Sequence, residues 1–369
     1  MHRPSASDDL RSPERRRWLK QAGQLAIAGG LLAGGGWAVL KRKQNLWQVR
    51  RERTLMQTSV AVTCLADDVQ AAGVAIEAAF ARMAATAAQL TRFDPASPLA
   101  RLNRDGQLAQ VPAQLDAVLR QALSLSRLTD GAFDPTVLPV LRYFETLRGT
   151  AATDAHEQRV AESRDALVGY RDLALDARGA RLLRPGMAIT LDGIAKGHVV
   201  DQGIAALRGA GIEYGLIDAG GDIQAICGND PARHWNVGIV DPRDVSRVAV
   251  VLQLRNAAVS TSGNYRVFFS ADRRLFHIVN PRTGWSPQSY SSVTVMGGSA
   301  ARLLLERVGQ HRTFHREARQ AGTPHPPATD RPAAPRRRTL RAGHPHLRRG
   351  RGPRCREGRR PQASHPLPQ

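Results

Sequence analysis

The sequence predicts an α+β fold, with mixed or antiparallel sheets and flanking helices, and three observations carry that reading. Long segments of helical periodicity fall early in the chain, at 68–90 and 113–128. Short strand-like runs bounded by Gly, Pro, Asn and Asp fall late, from residue 215 onward. The two kinds of segment do not alternate strictly, as the strands and crossover helices of a doubly wound parallel sheet would.

At 369 residues and 42% hydrophobic composition the chain can bury one large core or two modest ones, which excludes a wholly disordered protein. The net charge of +21 suggests a nucleic-acid binder until it is divided along the chain. Residues 1–53 hold 12 basic against 4 acidic side chains, and 309–369 hold 15 arginines against 3 acids, so the ends carry +8 and +12 and the body +1. A nearly neutral body offers no phosphate-tracking surface, so no nucleic-acid partner is expected. Cys64, Cys227 and Cys355 are too few and too scattered for a disulfide framework or a four-ligand zinc site.

The N-terminus reads as an address. Arg15-Arg16-Arg17-Trp18-Leu19-Lys20 precedes an apolar, Gly/Ala-rich run over 22–40 and then Lys41-Arg42-Lys43. That order matches a twin-arginine-like export signal; a single membrane-spanning helix is the other reading, since its 19 residues would reach about 28 Å at about 1.5 Å each. Both place the protein at the inner membrane on the periplasmic side, with cleavage open. The expected division is therefore 1–53 signal or membrane anchor, 54–300 catalytic domain and 301–369 tail.

Within the body, Val69, Ala72, Ile76, Ala79, Phe80 and Met83 mark one face of an amphipathic helix over 68–90, and a second helix is expected over 113–128. The charged helix formers of 151–168 suggest a surface excursion. Strands are expected near 215–218, 235–240, 248–254, 266–269 and 292–296. Five short motifs punctuate this pattern, each with an ordinary structural reading. Gly131-Ala132-Phe133-Asp134-Pro135-Thr136 fits a turn into a strand. Leu191-Asp192-Gly193-Ile194-Ala195-Lys196-Gly197 fits a strand-to-helix turn capped by Asp192. Ala219-Gly220-Gly221-Asp222 fits a glycine bend in a sheet, and 260–265 and 277–284 fit hairpin connections.

Their order and spacing add information. Met56, then Thr91-Arg92-Phe93-Asp94-Pro95-Ala96-Ser97 with Leu102-Asn103, the five motifs, and Ser292-Val293-Thr294-Val295 together resemble the ApbE family of FAD:protein FMN transferases over about residues 54–298. The resemblance implies an ApbE-like fold and an enzyme that splits the diphosphate of FAD with a divalent metal, Mg2+. FMN would pass to a Thr or Ser hydroxyl of a target electron-transfer protein, and AMP would be released. The target would carry an Asp-Gly-x-Ser/Thr-Gly-Ala-Thr-like motif.

By the same resemblance Phe93 stacks on the isoalloxazine, Met56 lies near the flavin, Ala132, Phe133 and Asp134 line the nucleotide site, and His277 and Ile278 approach the phosphates. A target hydroxyl must lose its proton as it attacks, and His277 and Asp192 are the candidate bases. A diphosphate also needs cation and backbone N–H donors with little side-chain bulk, which Lys196, Gly193, Gly220 and Gly221 could supply. Lys196 stands out because the chain has four lysines against 49 arginines and the other three lie at 20, 41 and 43. Asp192 departs from the common family pattern, in which the acid stands two positions earlier. The backbone of Gly193 is the remaining expected metal ligand.

Beyond Gly298 the expected acid, followed four residues later by Thr, does not occur. Residues 309–369 contain 15 Arg, 10 Pro and 6 His with no Lys, Ile, Val, Met, Trp or Tyr, a composition expected to be disordered. A shifted reading frame near codon 300 explains it better than a native basic tail. Alternatives to transfer are a flavin-binding protein without transferase activity and a FAD pyrophosphatase.

Overall fold

The computed structural model describes residues 38–43, 46–151, 153–301 and 313–317. Strands β1 (Ala38–Lys43), β2 (Leu46–Leu55) and β3 (Thr58–Ala66) lead into helix α1 (Val69–Leu90). Next come α2 (Pro98–Asp105), β4 (Gln107–Leu108), α3 (Ala113–Leu128), α4 (Leu138–Thr146) and α5 (Asp154–Leu167). A small antiparallel sheet then adds β5 (Leu173–Asp176) and β6 (Gly179–Leu182) to β4, before α6 (Ala195–Gly209). The remainder is β7 (Tyr214–Asp218), β8 (Asp222–Ile226), β9 (Trp235–Asp241), β10 (Asp244–Leu254), β11 (Ala258–Gly263), β12 (Tyr290–Gly297) and β13 (Thr313–Glu317).

The main sheet is antiparallel throughout, in the order β1-β2-β3-β7-β8-β11-β12-β13. Helices α1 and α6 cover one face. Ile76, Phe80 and Met83 of α1 and Val199, Ile204 and Leu207 of α6 meet Val60, Val62 and Ile217 of the sheet, all of them essentially free of solvent. The apolar spacing in α1 is the one read from sequence, and Asp68 caps its N-terminus by accepting from the N–H groups of Gln70 and Ala71. Helix α1 is also long and apolar enough to cross a membrane, but its apolar face is part of this core. On the opposite face the β9–β10 ribbon lays Val237, Leu252 and Leu254 against Ile223, Ala225 and Val259. A separate cluster joins α4, α5 and the long loop 264–289 through Val137, Leu138, Phe144, Val160, Phe269 and Leu275. That cluster holds the loop bearing His277.

Several sequence expectations need correction. Residues 266–269 form no strand; Phe269 N–H bonds Leu275 C=O, so the loop pairs with itself and contributes a single bridge, Phe268 to Phe276. Of the 260–265 stretch, expected as a hairpin connection, residues 260–263 lie within β11, where all four pair with β12 and Ser260 also pairs with Asp222 of β8. The 131–136 motif enters a 3-10 turn and α4 instead of a strand, because Pro135 pre-sets helical φ and Asp134 caps that turn. The 151–168 region is no mere excursion: Val160 of α5 is completely buried.

Leu191 is outside any strand, and the N-cap of α6 is Ile194 with no side-chain cap bond, so Asp192 is not a cap. At the N-terminal boundary, Ala38–Lys43 and Leu46–Leu55 are sheet strands with register Ala38 to Arg51 and Leu55 to Thr58, so folded structure begins before residue 54. The apolar run and twin-arginine-like segment through residue 37 lie outside the described residues. Within the tail, Thr313–Glu317 pairs with β12 as an edge strand, contrary to the expectation of disorder there; 302–312 and 318–369 lie outside the described residues.

Candidate active site

Several connections meet near one end of the main sheet. The β2–β3 turn is two residues long, Met56 and Gln57, both left-handed with φ of 51° and 58°. Met56 is partly buried against the main core. The β7–β8 turn lies beside it: a Cβ on Gly220, whose φ is 69°, would collide with the Thr58 hydroxyl, so only glycine fits there. Asp218 Oδ1 accepts from the N–H groups of Gly220 and Gly221 at 3.0 and 3.4 Å. These two glycines therefore point their N–H groups at Asp218, and the expectation of free backbone donors for a diphosphate is not met at them.

The segment entering α6 is fixed by Asn103, which acts as a surrogate strand. Its Nδ2 donates to Ile189 C=O at 2.8 Å and its Oδ1 accepts from Ile189 N–H at 2.7 Å. Thr190 N–H bonds Pro135 C=O, bringing the 131–136 turn alongside. There the Phe133 ring lies against Gly193, with Cε2 3.5 Å from where a Cβ would stand. Ala132 is exposed beside it.

Asp134 has a different part from the one expected. It is buried; Oδ1 accepts from Thr136 N–H and Oγ1, and Oδ2 accepts from Tyr170 N–H. Burial raises its pKa, and these bonds offset only part of that shift. Its carboxylate is thus engaged in holding the 131–136 turn to Tyr170.

Charged groups gather beside these turns. Lys196, in the first turn of α6, reaches Asp222 Oδ2 at 2.8 Å, and Ser260 Oγ donates to the other oxygen of the same carboxylate. Arg92, only 12% exposed, donates from Nε to Asp192 Oδ2 at 2.9 Å and from a terminal nitrogen to Glu145 Oε1 at 3.0 Å. Its guanidinium carbon stands 4.1 Å from the Phe93 ring centre. Burial works against the charge on Arg92, but Asp192 and Glu145 outweigh it and raise its pKa.

His277 has substantial surface open to solvent, yet the protein around it desolvates the ring enough to lower its pKa. A bond to Val267 C=O opposes that shift, the Lys196 charge adds to it, and Asp192 opposes it. Lys196 and Asp192 are thus both close enough to act on the ring. Ile278 follows it, partly buried.

The structure thus brings Met56, Phe93, Phe133, Asp192, Gly193, Lys196, Gly220 and His277 to neighbouring connections. Sequence reading missed Glu145 and Ser260 as site groups, and quoted Arg92 and Asp222 only as motif members. The Asp after two glycines and the single body lysine were the available signal for the Lys196–Asp222 pair. Thiolate chemistry is not available at Cys64, which sits in the core with its thiol pushed up to about 12.

Two glycine turns, the exposed Phe93 ring, the Lys196 ammonium and His277 thus meet on an antiparallel α+β scaffold. The ApbE family model matches residues 56–303, and the chain belongs to that family. It is 30% identical over 222 residues to the FAD:protein FMN transferase of Haemophilus influenzae, covering 57% of this chain and 64% of that relative. To the FAD:protein FMN transferase of Vibrio cholerae it is 29% identical over 204 residues, covering 53% and 60%. The chain therefore spans less than two thirds of the length of these relatives. The crystal structure of the ApbE protein of Thermotoga maritima superposes with a TM-score of 0.63 at 25% identity, covering 71% of this chain and 86% of that one. The apo flavinyl transferase ApbE of Pseudomonas stutzeri gives 0.60 at 25% identity, covering 70% and 82%.

Proposed function

We propose that this chain binds FAD at this site and transfers its FMN half to a Ser or Thr hydroxyl of a target protein. The reading rests on His277 lying within electrostatic reach of Lys196 and Asp192, with Lys196 held by Asp222, in a member of the ApbE family. The hydroxyl oxygen would attack the FMN phosphorus while its proton passes to His277. The bond from that phosphorus to the bridging oxygen breaks, and AMP leaves with the bond's electron pair. Lys196, a compact ammonium, would offset the charge that develops on the phosphates. Phe93, Phe133 and Met56 would hold the isoalloxazine side, with Ala132 and Ile278 lining the site.

Family membership makes Mg2+ the expected companion, supplying further charge neutralisation when bound. The described residues do not fit it: no three His, Cys, Asp or Glu side chains among them converge to hold a metal. Asp192 and Asp222 are engaged with Arg92 and Lys196, and Gly193 contributes backbone alone. No step above passes through a metal. This deficit favours a second reading, a flavin-binding protein that transfers slowly or not at all.

Incubation with FAD, Mg2+ and a peptide carrying Asp-Gly-x-Ser/Thr-Gly-Ala-Thr, followed by mass analysis, separates the readings. Peptide heavier by FMN with stoichiometric AMP supports transfer; FAD retained unchanged supports the second reading; FMN and AMP without modified peptide supports hydrolysis. The N-terminal segment motivates a periplasmic, membrane-associated setting, where the targets would be electron-transfer subunits.

A further inference from the structure

Phe93 is 55% exposed in a protein that buries most of its large apolar side chains, and one face of its ring is already covered. The cover is the Arg92 guanidinium, 4.1 Å from the ring centre. Arg92 is itself held by two carboxylates from separate parts of the chain, Asp192 before α6 and Glu145 in α4. A planar fork bound at both ends has little rotational freedom, so the ring resting on it is oriented as well. The result is a ring with a braced back face and an exposed front.

We propose that Arg92 is a positioning residue for the flavin ring: it sets the plane of Phe93 on which the isoalloxazine stacks and ties that plane to the Asp192 turn. This rests on the FAD-binding reading above. Arg92 meets the ring face of Phe93, so the proposal places its contribution at the isoalloxazine end of the ligand. A lysine there keeps a charge over the ring but cannot bond both carboxylates in one plane.

The test compares FAD, riboflavin and ADP binding to the full chain by calorimetry, for wild type, Arg92→Gln, Arg92→Lys, Phe93→Leu and the double variant Arg92→Gln/Phe93→Leu. Arg92→Gln should weaken FAD and riboflavin by the same factor, about threefold to thirtyfold, the range of a partly desolvated cation–π contact. ADP should bind unchanged, and Arg92→Gln should add little once Phe93 is leucine. Arg92→Lys should fall between wild type and Arg92→Gln, and it carries the comparison should the glutamine variant unfold. Unchanged riboflavin affinity, an equal loss for ADP, or additive effects in the double variant would overturn the proposal while the FAD-binding reading stands. A wild-type chain that binds neither FAD nor riboflavin overturns both.

Discussion

Replacing Gln57 with glycine should stabilise this protein, although glycine usually weakens a β-strand. Met56 and Gln57 form the whole β2–β3 connection and both have positive φ, the geometry of a type I′ turn, which favours Asn-Gly. A side chain in the left-handed region costs about 1–2 kcal/mol, whereas the extra chain freedom of an unfolded glycine costs about 0.5–1 kcal/mol. Gln57 is exposed, so little packing is lost. The net expectation for Gln57→Gly is a gain of about 0.5–1 kcal/mol, or a rise in Tm of about 1–4 °C for a domain of this size.

The neighbouring residue gives the contrast. Met56→Gly relieves the same strain but removes a side chain packed against the core, and the two effects nearly cancel at about 1 kcal/mol each. It should also weaken FAD binding, whereas Gln57→Gly should not. Urea denaturation of both variants, with FAD titration of each, makes the comparison. A Gln57→Gly protein less stable than wild type, with an unchanged m-value, would refute the turn argument.

Asp134→Ala should cost about 3–5 kcal/mol in chemical denaturation, because it leaves the Thr136 and Tyr170 donors unpaired in a buried site. Gly197→Ala should cost about 1–3 kcal/mol, since the new Cβ would stand 2.6 Å from the backbone oxygen of Ala300; limited proteolysis should then cut more readily near residue 300. Burial lowers the pKa of His198 and of His277, so on acidification the unfolded chain takes up protons before the folded one. Stability from these histidines is complete above about pH 6.5 and falls as pH drops below that value, and His198→Gln should flatten part of the slope in pH-dependent melting.

What was legible in the sequence was local in origin. The buried face of α1 follows from apolar spacing, the existence of α3 was read as a second helix, and the glycine turn at 220–221 follows from backbone freedom. The order of short motifs was enough to assign a family. What tertiary structure decided was which side chains meet. Arg92 and Glu145 are 53 residues apart, and Lys196 finds Asp222 only because α6 returns across the sheet to the β7–β8 turn. The same dependence explains the misreadings. The apolar run Val267-Phe268-Phe269 looked like a strand, yet the 264–289 loop closed on itself against α4 and α5. Asp134 looked like a ligand-facing acid until burial and Tyr170 claimed it. Periodicity reports which face of an element avoids water, a property of neighbours in the chain; a charged side chain's role depends on its partner, and folding alone chooses that.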